Sequence, residues 1–94
     1  ARAVKEKPKK LEPSEILDLA RQAFATDDIE QAKLHYTELI KRKKELQAVI
    51  EDINMALDRE PEAPDLWQLL GDAYMKNDQL QEAIKAYQRG TEVA

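Results

Sequence analysis

Residues 64–94 read PDLWQLLGDAYMKNDQLQEAIKAYQRGTEVA. Pro64 suits a first helical turn, where no backbone N–H has a partner to lose. Trp67, Leu70, Gly71 and Tyr74 follow at three- and four-residue spacing and so share one helical face. The spacing predicts a helix to about Lys76, a turn at Asn77-Asp78, and a second helix from about Gln79, with Asp78 as its cap and Gln81 three residues on. Gly71 and Ala83 are small, which lets two antiparallel helices approach. Trp67, Leu70, Tyr74 and Tyr87 fill the space around that contact.

The same spacing occurs upstream. Ile16, Leu19, Ala20, Ala23, Ala32 and Tyr36 each lie 51 residues before Trp67, Leu70, Gly71, Tyr74, Ala83 and Tyr87. Ala23 departs from the pattern, with Phe24 beside it. A first helix is expected from Ser14, the cap, to about Ala25. Thr26-Asp27-Asp28 forms the turn, and Asp27 with Glu30 resembles a capping box. From Asp28 to about Arg59 there is neither Gly nor Pro, and apolar residues keep helical spacing throughout. One long second helix is the expectation. The alternative is a break near Lys41–Lys44 that folds the chain back into a compact bundle. Pro61 and Pro64 separate this segment from the downstream pair.

Trp67-x-x-Leu70-Gly71-x-x-Tyr74 followed by Ala83-x-x-x-Tyr87 resembles the tetratricopeptide repeat, a helix–turn–helix unit of about 34 residues. Tyr87 stands where Phe is more usual. Ala56-Leu57-x-x-x-Pro61 looks like the closing run of the preceding unit. The resemblance implies an all-α fold of repeat-type helical hairpins, an α-solenoid of about four helices. The domain is expected over 14–94, with hairpin 1 and its extended helix at 14–60 and hairpin 2 at 64–94. It also implies a protein-binding scaffold whose peptide groove is lined by the first helix of each hairpin. The groove positions are then Ser14, Leu17, Arg21 and Phe24 in the first unit and Asp65, Gln68, Asp72 and Lys76 in the second. Gln68 and Asp72 stand where the family's acidic-tail clamp wants Lys and Asn, so that ligand class is not expected.

An offset of 51 against about 34 leaves some seventeen added residues. In a continuous helix they would carry the hairpins about 25 Å apart. Each would then expose an apolar face, and such faces usually mean association. A homodimer is therefore expected, with Leu46, Val49, Ile50 and Ile53 as interface candidates.

Chemistry-bearing constellations are few. His35 is the single histidine and has no ligand set at helical spacing; with no Cys, neither a metal nor a thiol site is expected. The two glycines, Gly71 and Gly90, form no phosphate loop. Acidic pairs such as Asp27-Asp28 and Glu51-Asp52 read as caps and solvated faces. No enzyme activity, cofactor or small-molecule substrate is expected. Residues 1–13 read as a flexible basic linker, since Pro8, Pro13 and repeated Lys disfavour helix. The net charge of −4 is interrupted by basic blocks at Lys5–Lys10 and Lys41–Lys44. These support an alternative adaptor role on nucleic acid or a membrane surface, although neither makes a broad positive face. The chain opens on Ala rather than Met and reads as part of a larger protein. Absence of Cys and of a signal sequence suits the cytoplasm, and a membrane anchor ahead of residue 1 stays open.

Overall fold

Five helices account for the regular structure of residues 11–94, the part of the chain that the computed structural model describes. They are α1 (Pro13–Ala25), α2 (Ile29–Arg42), α3 (Leu46–Arg59), α4 (Pro64–Lys76) and α5 (Leu80–Val93). The all-α, hairpin-based fold class expected from the sequence is therefore observed. The linker expected over 1–13 lies outside the described residues except at its end, where Leu11 and Glu12 are exposed and Pro13 already opens α1. The basic block at Lys5–Lys10 lies wholly outside them. No helix among the described residues is long and apolar enough to cross a membrane.

The long second helix does not exist. The chain leaves the helix at Lys43 and re-enters it at Leu46, so the added segment is a separate helix, α3, with its own loop. Lys43 and Glu45 both take left-handed backbone conformations, with φ of 56° and 55°. The Lys44 N–H reaches back to the Leu39 carbonyl at 3.0 Å and the Lys43 N–H to Ile40 at 3.0 Å. This is the Schellman closure that satisfies the last carbonyls of a helix. Two forces favour it. Four successive cations, Lys41 to Lys44, suit the negative end of a helix dipole and would repel one another mid-helix. Breaking there also lets α3 bury Val49, Ile50 and Ile53 within the chain's own core, at 0%, 4% and 0% exposure. Burying such side chains contributes roughly 1.5–3 kcal/mol each, more than the backbone cost of the turn.

The same closure ends α1 and α4. Asp27 (φ 65°) and Asp78 (φ 61°) sit in the left-handed position, 51 residues apart, and the next N–H of each bonds back to Ala23 and Tyr74. Neither aspartate is thus the cap expected of it. Asp28 caps α2 by accepting the Gln31 N–H, and Gln79 precedes α5 without a side-chain cap. At the start of α1 the cap is Glu12, in a reciprocal box with Glu15, rather than Ser14.

α1 pairs with α2 and α4 with α5 as two hairpins of matching turn geometry. α3 packs against α4 and, less extensively, α2, while α2 also touches α4. Ala20, Ala32, Ala73 and Ala83 are fully buried where helices cross. A Cβ on Gly71 would come within 2.5 Å of the Tyr87 ring, which is why the second hairpin needs glycine there. Trp67 packs partly buried against the core and donates its indole N–H to the Pro61 carbonyl at 2.8 Å.

Because Lys43 carries a side chain in a conformation natural to glycine, Lys43→Gly is expected to stabilise the fold by about 1 kcal/mol. Thermal melting followed by far-UV circular dichroism should show a midpoint raised by about 4–8 °C. A lowered midpoint would mean that the α2–α3 loop is not built on this closure.

Candidate functional site

Asp52, on α3, is buried at 7% exposure, and it is the one buried charged residue among those described. It is held by three donors from two other helices. Arg21 of α1 gives its Nε at 2.8 Å to Oδ2 and its Nη2 at 3.1 Å to Oδ1, a two-pronged grip on both oxygens. The Tyr36 hydroxyl of α2 donates to Oδ2 at 2.7 Å. No buried side-chain polar atom is left without a partner among the described residues. A carboxylate is tolerated in such a place only when its charge and lone pairs are met in this way.

The second hairpin meets the same need differently. Tyr87 occupies the position of Tyr36, and Asp72 that of Arg21. The Tyr87 hydroxyl donates to Asp72, within its own hairpin. In the first hairpin the corresponding residue is an arginine, and the acceptor comes from the added helix instead. Burial and the bond to Asp72 push the Tyr87 phenol up to about 12. Burial foremost, then the bond to Asp52, pushes Tyr36 in the same direction.

Above this lock, α1 and α3 diverge to leave a groove of about 600 Å³, walled by Phe24, Met55 and Ala56 and floored by Arg21, Tyr36 and Asp52. Phe24 is held at an angle against Tyr36, ring centroids 5.6 Å apart and planes at 46°. Met55 is 62% exposed. A second hollow of about 590 Å³ lies between the α1–α2 turn and the α3–α4 loop, and it shares Phe24, Ala56 and Arg59 with the first. The two are neighbouring lobes that adjoin at these three residues. In the second lobe the Lys33 ammonium lies 2.7 Å from Asp65 and 3.2 Å from Glu30, tying α2 to the first turn of α4.

The expected groove residues divide. Arg21 and Phe24 line the first lobe, and Phe24 and Asp65 the second. Leu17 is buried in the core, so it is not a groove residue. Ser14 is exposed on the first turn of α1, and Gln68, Asp72 and Lys76 lie on α4; all four are outside both lobes. The four interface candidates do not form a free surface: Val49, Ile50 and Ile53 are buried within this chain and Leu46 packs partly buried against the same core. Helical spacing had marked them as an apolar stripe, and the broken helix explains how the chain itself covers it. Asp52 is not part of a solvated face either. Met55, Asp58, Arg59 and Glu60 went unrecognised because a continuous helix would have carried them away from α1. Among the described residues no cluster of His, Cys, Asp or Glu has the makings of a metal site.

Residues 64–94, which are the α4–α5 hairpin with Pro64 at its start, match the family model of the tetratricopeptide repeat. No curated protein and no solved structure matches the chain.

Asp52→Ala removes the acceptor of three bonds. With Arg21 half exposed and so partly rescued by water, a loss of about 2–3 kcal/mol in urea unfolding is expected. Adding Tyr36→Phe should then cost less than it does alone, because the phenol has already lost its acceptor; strict additivity would deny the lock. A second measurement uses pH. An ordinary phenol titrates near pH 10, so an unfolded chain releases a proton that folded Tyr87 retains to about 12. The raised phenol's stabilisation is complete below about pH 10 and lost as pH climbs through 12. Phenolate absorbance at 295 nm should therefore grow together with loss of helix signal across that window. Full ionisation of all tyrosines at pH 10 with helix content intact would contradict the burial described.

Proposed function

We propose that this chain, whose residues 64–94 match the tetratricopeptide repeat, is a non-catalytic protein-binding module of a larger protein, receiving a segment of its partner in the two adjoining lobes, one between α1 and α3 and one between the α1–α2 turn and the α3–α4 loop. The observation that carries the reading is the groove's build. Its floor is rigid and electrically closed by the Arg21–Asp52–Tyr36 bonds, while its walls offer Phe24 and an exposed Met55. A preorganised floor lowers the ordering cost of binding, and exposed methionine adapts to varied apolar side chains. The ligand surface of this chain is thus shifted from the one the family resemblance implied: the added helix, rather than the first helix of the second hairpin, supplies the wall opposite α1.

Self-association through α3 has lost its ground, since the residues that were to mediate it are covered by their own chain. The reading of the basic residues as a nucleic-acid or membrane contact also has less behind it. Lys41 and Arg42 occupy the last turn of α2, where they complement its dipole, and Arg42 lies 3.6 Å from Glu38.

Peptides selected from a random display library against the domain provide the test. In an ¹H–¹⁵N titration, selected peptides should move the amides of Arg21, Phe24, Met55 and Arg59. Met55→Glu should weaken them at least about tenfold, a loss typical of burying an unpaired charge, with the circular dichroism spectrum unchanged. Shifts confined to Gln68, Lys76 and the outer face of α5 would place binding elsewhere and overturn the assignment.

A further inference from the structure

The two lobes differ in charge, and that difference specifies a ligand. In the first lobe Asp52 is engaged by Arg21 and Tyr36, and the lining surface is mainly apolar. The second lobe gathers Asp27, Glu30, Glu60 and Asp65 against two cations, Lys33 and Arg59. Lys33 is already taken by Glu30 and Asp65. Asp27 and Glu60 make no ion pair or side-chain hydrogen bond among the described residues, and both are exposed. Asp27 comes from the α1–α2 turn, where its backbone is left-handed, and Glu60 from the C-terminal end of α3.

Resting on the reading above, we infer that the groove recognises an extended peptide carrying an apolar side chain for the Phe24–Met55–Ala56 lobe and a Lys or Arg for the Asp27–Glu60 lobe. An acidic residue in the second lobe would meet four carboxylates against two cations, of which Lys33 is already engaged by Glu30 and Asp65. A purely apolar one would leave them opposed to a dry surface. Either mismatch counts against the wrong ligand as much as the right contacts favour the correct one. Arg59, which lines both lobes, makes no ion pair among the described residues, and the four carboxylates of the second lobe outnumber it and Lys33 together, so the lobe still favours a cation. Complementarity of this exposed kind acts mostly on specificity and weakens with salt.

The experiment uses the full chain and a set of fluorescent decapeptides on a Gly/Ser frame. One series carries a single Leu and a single Arg at every spacing, a second replaces Arg by Glu, and a third replaces Leu by Ala. Binding is read by anisotropy at low and high salt. The best Leu/Arg peptide should bind at least about tenfold more tightly than its Glu counterpart, the order expected of discrimination by two unpaired carboxylates. The preference should shrink at 0.5 M salt. Asp27→Asn with Glu60→Gln should remove the preference for Arg while keeping the dependence on Leu. Asn is at home in a left-handed turn, so this variant keeps the fold, with melting as the check. If Glu peptides bind the groove as well as Arg peptides, or if the double variant keeps its preference for Arg, the charge specificity is wrong and the groove reading stands. If no peptide of any series binds while display-selected peptides do map to the groove, the two-residue specification is wrong. If neither binds there, both readings fall.

Discussion

One carboxylate holds three helices together. Asp52 lies where α1, α2 and α3 meet, and it accepts three hydrogen bonds from the other two helices. Ionic groups in such positions seldom add much net stability, because their desolvation offsets most of the attraction. Their effect is to make one arrangement acceptable and its neighbours costly. Were α3 rotated by one residue, about 100°, a charge would enter the core without partners. The bond thereby sets the face that α3 shows to the first hairpin, and with it the face left for α4.

That constraint explains how one pattern yields two different hairpins. Each pairs a small residue on its first helix with a tyrosine on its second. In α4–α5 the residue is Gly71, and Tyr87 lies close enough to exclude a Cβ. Its hydroxyl then finds Asp72 on the adjacent position. In α1–α2 the small residue is Ala20, the next is Arg21, and the tyrosine turns its hydroxyl to a carboxylate brought by α3. An arginine in place of an aspartate thus coincides with an extra helix that supplies the missing acceptor. The groove beside it follows, since Phe24 leans on Tyr36 and Met55 lies one turn beyond Asp52.

Much of the fold was legible from residue spacing. The two hairpins, their small-residue crossings and their turns follow from patterns that local chemistry enforces, and the 51-residue offset survives in the backbone angles of Asp27 and Asp78. A break near Lys41–Lys44 stands in the sequence only as the alternative to one long helix, because no Gly or Pro marks it. Its sign is electrostatic: four cations followed by Glu45, the order that suits the end of one helix and the beginning of the next. Half of the groove was out of reach for the same reason. Arg21 and Phe24 could be placed from the α1 pattern, whereas Met55, Arg59 and Glu60 face them only after the chain has doubled back. Asp52 was hidden more deeply, because an aspartate on an amphipathic helix looks the same in sequence whether water or an arginine completes it.

The position of the phenol acceptor also bears on how such chains can be recombined. The second hairpin carries both halves of its polar contact in one contiguous stretch, so a genetic exchange that moved it elsewhere would transport the contact whole. The first does not. Cut after Arg42, it would leave a guanidinium and a hydroxyl whose counterpart is encoded further on. Only residues 13–59, three helices and not a pair, carry every member of that polar arrangement in one stretch.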